Sequence, residues 1–135
     1  MKLSDKRKKR YRSKVGYIIE KMHTLPEDTT TLDELGIDGV LYRVQSSIEA
    51  AMDIVAMIVR DIGIEVGDDY ENIETLSEKK VIDTGLSDEL KKLNGMRNII
   101  VHRYGKVDVD LVLKNLGTVR ELLQRFIKIV EGDIL

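Results

Sequence analysis

The chain has 135 residues, a length that fits one domain with a sizeable buried core. Its composition is 42% hydrophobic, 34% charged and only 4% aromatic, with one proline, which favours a bundle of helices over a β-sandwich. The net charge of −2 excludes a global field that attracts nucleic acid, so any such contact requires a local basic patch. The absence of cysteine excludes disulfides, thiolate nucleophiles and cysteine-based zinc sites.

The first predicted helix covers residues 4–25, with Ser4 or Asp5 as its N-cap and apolar residues at helical spacing in its second half. Its first half is strongly basic, although cations near a helix N-terminus oppose the helix dipole. Two interpretations stay open for this basic stretch. It is either a solvated surface or a patch that contacts RNA phosphates, and the second interpretation rests on Lys8, Lys9, Arg10 and Arg12.

A connecting loop is expected over residues 27–39, followed by a second helix over residues 40–62 with a long apolar stripe. Asp53 lies in a very apolar stretch of this helix. A buried carboxylate needs a hydrogen-bond donor, for which Arg97 is the obvious candidate, whereas a solvent-facing Asp53 needs none. Both alternatives remain open from the sequence.

Three further helices complete the predicted fold. They cover residues 72–81, a central stretch that begins at an N-cap Ser87 after a break at Thr84 and Gly85, and a last helix from Asp108 or Asp110 to about residue 130. The prediction is one all-α domain, residues 1–135, made of four to five mostly antiparallel helices. The longest uninterrupted apolar run, residues 54–59, is too short to span a membrane, and we expect a soluble, cytoplasmic protein.

The central helix carries a dense set of chemically capable side chains: Arg97, Asn98, His102, Arg103 and Tyr104. His102 is one of only two histidines, so few other groups can transfer protons near neutral pH. Arg97 points into the apolar sector of the helix, while Asn98 and His102, four residues apart, share an adjacent flank. An arginine and a histidine on one helix are often structural, but an arginine in a core-facing stripe needs an explanation.

The spacing of Arg97 and His102 limits what a single helix can do. Five residues apart, they lie roughly 140° apart around the axis and about 7.5 Å apart along it. Their side chains can converge on one small group only if the helix loosens before Gly105, which would be its C′ residue, or if a second copy of the pair comes from another subunit. A symmetric dimer would supply that second copy.

The motif Arg97-x4-His102-x-Tyr104 resembles the R-x4-H-x-Y signature of HEPN-domain toxins, in the HepT-like branch that is paired with minimal nucleotidyltransferase (MNT) antitoxins. Residues 41–45 and 50–55 are similar to the second helix of that family, and the order of helices matches along most of the chain. The resemblance implies a HEPN-like antiparallel helical bundle that forms a symmetric homodimer. It also implies a toxin with endoribonuclease activity and a cognate MNT antitoxin as partner.

The same resemblance assigns roles to individual residues. Arg97 and His102 would cleave RNA without a metal ion, through attack of the ribose 2′-hydroxyl on the adjacent phosphorus, with Asn98 and Asp53 in supporting positions. Apart from the resemblance, Arg103 is a candidate RNA contact together with the basic residues of the first helix. Tyr104 would be the residue that the antitoxin modifies with AMP, so ATP would be used by the partner and the chain would need no cofactor of its own.

A competing class of function is a non-catalytic helical partner of a nucleotidyltransferase that binds a nucleotide or positions a substrate. In that case the same dimer cleft would hold a ligand. A purely structural helical dimer is a third alternative. Cleavage of RNA that depends on Arg97 and His102 would separate the first class from the other two.

Overall fold

The computed structural model describes residues 2–102 and 105–135, and these residues contain helices and no strand. The prediction of an all-α fold is confirmed. The helices are α1 (Asp5–His23), α2 (Glu34–Asp61), α3 (Asp69–Glu78), α4 (Thr84–Val101), α5 (Lys106–Lys114) and α6 (Leu116–Ile129), followed by a π-helical turn, Val130–Ile134. None of these described helices is long and apolar enough to cross a membrane.

The first four helices begin at short polar side chains that accept a hydrogen bond from the backbone N–H three residues further on. Such caps satisfy one of the free N–H groups in the first helical turn. The four caps are Ser4, Asp33, Asp68 and Asp83.

The expected N-cap of the central helix is therefore wrong. Asp83 accepts from the backbone N–H of Leu86 at 2.7 Å, so α4 begins one turn earlier than predicted and Ser87 is buried inside it. Thr84 and Gly85 were predicted to separate the third helix from the central helix, but they lie in the first turn of α4. Asp33 likewise starts α2 at Glu34 instead of residue 40, and Asp68 starts α3 at Asp69 instead of residue 72.

The predicted last helix is two helices, α5 and α6, which meet at Asn115. The side-chain amide of Asn115 donates a hydrogen bond to the backbone carbonyl of Leu111 at 2.7 Å. Asparagine side chains that bond to nearby backbone in this way compete with the helical hydrogen-bond pattern. The described chain therefore has six α-helices where four to five were expected.

The core is built around α2, which packs against α1, α3, α4 and α6. Apolar residues on several sides of α2 are buried, as expected for a helix with neighbours around it. Its polar residues Glu49 and Asp53 remain on the flank that faces α1 and α4. The largest fully buried side chains around it include Tyr11, Ile18, Leu76, Leu90 and Phe126.

Candidate active site

Arg97 lies in the second half of α4, where the helix packs against α2. Its Nε donates to Glu49 Oε1 at 3.4 Å, and its Nη1 donates to Asn98 Oδ1 at 3.1 Å. Burial of Arg97 is intermediate, so the guanidinium lies at the edge of the core and not inside it. The apolar sector into which Arg97 was predicted to point thus reaches the protein surface at this residue. There the negative charge of Glu49 compensates the positive charge of the guanidinium.

The contact between Arg97 and Glu49 is long for a charge-assisted hydrogen bond. Glu49 Oε1 also accepts from the side-chain amide of Gln45, one turn earlier on α2, at 3.2 Å. A guanidinium carries more N–H donors than these described contacts use. Arg97 is therefore oriented by its neighbours and still able to bind an anion.

His102 is the C-cap of α4, immediately after the last helical residue, and its imidazole is exposed. Its backbone N–H donates to the carbonyl of Asn98 at 3.0 Å. Asn98 therefore contacts Arg97 through its side chain and His102 through its backbone. Gly105, considered as the C′ residue of this helix, is instead the N-cap of α5.

Asp53, named as a supporting residue, pairs with a lysine and not with Arg97. Asp53 is exposed, and its Oδ2 accepts from Lys14 of α1 at 2.9 Å. The carboxylate that contacts Arg97 is Glu49, one turn earlier on the same flank of α2. Of the two alternatives that the sequence left open, the solvent-facing one therefore describes Asp53, because its apolar neighbours face the core while Asp53 does not.

The basic residues of α1 that were predicted to contact RNA do not all lie on one side of the helix. On α1, Lys8, Lys9 and Arg12 lie within a sector of roughly 100° around the axis, whereas Arg10 points roughly 160° away from Lys8 and Arg12. Arg12 lines a groove with Ile19 and Leu135 on the far side of α1. The predicted contact residue Arg103 and the predicted modification site Tyr104 lie outside the described residues.

The guanidinium of Arg97, oriented by Asn98 and Glu49, is partly exposed and can bind an oxyanion. His102 provides an exposed proton-transfer group at the end of the same helix. Within residues 2–102 and 105–135, no group of three or more His, Asp or Glu side chains could hold a metal ion.

The model of the family described as ribonuclease HepT-like matches residues 13–130, a span that includes Glu49, Arg97 and His102. The chain belongs to the HepT-like ribonuclease family. This membership confirms the family that the R-x4-H-x-Y motif indicated.

Relatives of this HepT-like chain carry the same class of name. A protein of Archaeoglobus fulgidus named "Putative RNase" is 48% identical over 129 residues, which are 96% of each chain. The mRNA nuclease HepT of Shewanella oneidensis is 32% identical over 98 residues, which are 71% of this chain and 73% of that one. The prediction that the chain is an enzyme of the ribonuclease class is confirmed.

A solved structure with the same fold is the tri-AMPylated HEPN toxin of Shewanella oneidensis in complex with an MNT antitoxin. It is 26% identical to this HepT-like chain, has a TM-score of 0.78, and is matched over 97% of this chain and 100% of its own. The HEPN-like form of the helical bundle is therefore confirmed as well.

Proposed function

We propose that the chain is the toxin of an MNT/HEPN toxin–antitoxin pair and cleaves RNA as a metal-independent endoribonuclease. The proposal is supported by the family and by the neighbour that was solved as a toxin with its MNT antitoxin. The single observation that carries it is the position of Arg97, held by Glu49 and Asn98 at the surface, with the exposed His102 at the end of the same helix.

In the proposed reaction, Arg97 binds the scissile phosphate and stabilises the charge that builds on it. His102 takes the proton of the ribose 2′-hydroxyl, whose oxygen attacks the adjacent phosphorus. The bond to the 5′ oxygen breaks, and a protonated imidazole donates a proton to that leaving oxygen. The products are a 2′,3′-cyclic phosphate and a 5′-hydroxyl end, and Asn98 keeps the arginine in place.

We further propose that the site is completed by a symmetric homodimer. On an ideal helix Arg97 and His102 would lie roughly 140° apart around the axis, so we do not expect one protomer to bring both side chains onto one phosphate. A two-fold axis near the end of α4 would place two arginines and two histidines around one cleft, which would also supply separate groups for the base and the acid. Light scattering of the purified protein checks the predicted dimer.

Tyr104 remains the proposed site of modification by the antitoxin, with ATP used by that partner. An AMP group two residues from His102 would add negative charge and bulk beside the cleft and so hinder RNA entry. Mass spectrometry of peptides from the protein, before and after incubation with the MNT protein and ATP, tests the assignment. An adduct on another residue would refute it.

The test of the proposed function is cleavage of RNA in the presence of EDTA. The wild-type protein is expected to cut the RNA and to leave cyclic phosphate ends, whereas His102→Ala and Arg97→Ala are expected to lose this activity. His23→Ala is the matched control, because His23 is the only other histidine and is exposed at the end of α1. Cleavage that persists equally in all variants would come from a contaminant and would contradict the proposal.

The same experiment separates the alternative function. Intact RNA together with retained nucleotide binding would indicate a non-catalytic partner of a nucleotidyltransferase. Cleavage that EDTA abolishes would still indicate a nuclease, but it would contradict the metal-independent mechanism.

A further inference from the structure

A groove of about 340 Å³ runs between α1 and α2 and shares Glu49 with the candidate active site. Its volume is within the range of small-ligand pockets. Two exposed tyrosines line it, Tyr17 from α1 and Tyr42 from α2. Because Glu49 also contacts Arg97, the groove leads directly to the guanidinium that would hold the scissile phosphate.

Exposed aromatic rings beside a phosphate-binding group are the usual means by which proteins hold unpaired nucleotides. Single-stranded RNA is recognised mainly by stacking of its splayed bases on aromatic side chains, with cations along the backbone. The chain has five tyrosines and one phenylalanine, so two exposed rings in one groove account for a large share of its aromatic residues. Tyr11 and Phe126, in contrast, are fully buried.

Cations lie beside Tyr17 along α1. Lys6, Arg10, Lys14 and Lys21 fall on the same face of the helix as Tyr17, with a spacing of three to four residues from one to the next. We call this set the α1 ridge. It extends over about 22 Å of helix, and the Nζ of Lys21 lies 5.3 Å from the centre of the Tyr17 ring.

The groove also contains two carboxylates, Asp53 and Glu49, which could repel the phosphates of an RNA. Asp53 is paired with Lys14 at 2.9 Å, and Glu49 is paired with Arg97. Their charges are thereby largely compensated, whereas Lys6 and Arg10 stay exposed at the end of α1 nearest to its N-terminus. The floor of the groove therefore suits bases, and the α1 ridge suits the phosphates between them.

We propose that unpaired nucleotides flanking the cleaved bond of a single-stranded RNA bind in this groove, with bases stacked on Tyr42 and Tyr17 and phosphates on the α1 ridge. The proposal rests on the proposed ribonuclease function and adds the path of the substrate. Of the residues that the sequence predicted as RNA contacts on α1, the ridge includes Arg10, whereas Lys8, Lys9 and Arg12 point away from it.

The experiment measures binding of a fluorescently labelled single-stranded RNA by anisotropy, in a His102→Ala background that leaves the RNA intact. Tyr42→Ala is expected to weaken binding roughly fivefold or more, because about fivefold is the lower end of what stacking of one base on an aromatic side chain contributes. Tyr42→Phe retains the ring and is expected to bind like the parent. Tyr70→Ala removes an exposed tyrosine of α3 that does not line the groove, and it is expected to change nothing.

The α1 ridge is tested by the salt dependence of the same binding. Arg10→Gln and Lys6→Gln are each expected to reduce the slope of log K against log salt by up to about 0.7, the value for one phosphate contact to a single strand. Lys79→Gln, an exposed cation at the end of α3, is the matched control and is expected to leave the slope unchanged.

Two results would overturn the proposed path. One is RNA binding by Tyr42→Ala that equals the parent, and the other is a Tyr42→Ala protein that becomes a monomer in light scattering, since the groove would then be an interface between copies. Failure of the groove is distinguishable from failure of the function. If the wild-type protein cleaves RNA and Tyr42→Ala does so with unchanged KM, only the path is wrong, whereas RNA that binds in the groove but is never cut contradicts the nuclease.

Discussion

Two arginine–carboxylate contacts anchor α2 to its neighbours, and they differ in almost every physical respect. Asp61 Oδ2 accepts from Arg7 Nε at 3.3 Å, from Arg7 Nη2 at 2.9 Å and from the Tyr11 hydroxyl at 2.6 Å. The side chains of Arg7 and Asp61 are 22% and 13% exposed. Arg97 and Glu49 share a single contact of 3.4 Å, and their side chains are 30% and 41% exposed.

Arg7, Asp61 and Tyr11 form what we call a closed cluster: its charged groups are mostly buried and hydrogen-bonded within the cluster. Burial alone would raise the pKa of Asp61, but the hydrogen bonds from Tyr11 and Arg7 outweigh it, so the pKa of Asp61 lies below its ordinary value. Burial, together with the hydrogen bond to Asp61, raises the pKa of Tyr11. The difference teaches that the arginine of a closed cluster stabilises the fold, whereas the loosely held Arg97 keeps donors available for a ligand.

The largest expected effect is the loss of activity in Arg97→Ala. Removing a group that stabilises charge in the transition state costs about 10²–10³-fold in rate. Stability should change little, because the contact that is lost is long and partly exposed. Measurement of RNA cleavage beside thermal unfolding checks both halves of the prediction. A variant that unfolds in parallel with its loss of activity would show that Arg97 is structural.

Arg7→Ala should give the opposite pattern. It leaves Asp61 as a largely buried carboxylate with one donor fewer, which we expect to cost about 2 kcal/mol of unfolding free energy and to lower Tm by roughly 5–10 °C. Cleavage below the new Tm should be close to that of the wild type. Loss of activity in the folded variant would mean that the two arginines are not separate in function.

The helical fold could be predicted from the sequence because apolar residues at helical spacing mark the buried face of each helix. Val15, Ile18 and Met22 of α1 are buried as expected, and so are Leu122, Leu123 and Phe126 of α6. The helix ends were harder to place, since Asp83 and Ser87 are equally good N-caps by residue type. Which of them caps α4 depends on the tertiary packing that buries Ser87.

The candidate site was only half predictable for a related reason. Arg97, Asn98 and His102 lie within six positions of one helix, so their spacing and type mark them directly. The partner of Arg97 comes from another helix, and Glu49 and Asp53 are one turn apart on the same flank. The positions along α2 at which α4 and α1 pack decide that Glu49 contacts Arg97 and that Asp53 contacts Lys14, and these positions depend on the tertiary fold.

Tyr11→Phe sharpens the comparison by removing one hydroxyl from the closed cluster. The ring stays fully buried, so the change isolates the hydrogen bond to Asp61. A hydrogen bond to a charged group contributes about 1.5 kcal/mol or more, and urea unfolding should show a loss of that size with an unchanged m value. No loss of stability would mean that Arg7 alone satisfies Asp61.

The pH dependence of stability tests the same carboxylate without removing any packing. Because the pKa of Asp61 is lower in the folded state than in the unfolded chain, the charge of Asp61 contributes stability at neutral pH. This contribution decreases as the pH falls below about 4, the ordinary pKa of aspartate, and is lost once the folded-state pKa is passed. The Tm difference between wild type and Asp61→Asn should therefore narrow on acidification, and a constant difference would contradict the assigned pKa.

The smallest effect is expected for the pair of Lys14 and Asp53, which joins the same two helices as Arg7 and Asp61. Its side chains are 41% and 57% exposed, so water screens the attraction and the pair should contribute less than about 1 kcal/mol. A double-mutant cycle with Lys14→Met and Asp53→Asn measures the coupling, which should fall further in high salt. A coupling as large as that of the Arg7 cluster would show that helix position, and not exposure, decides what an ion pair contributes in this fold.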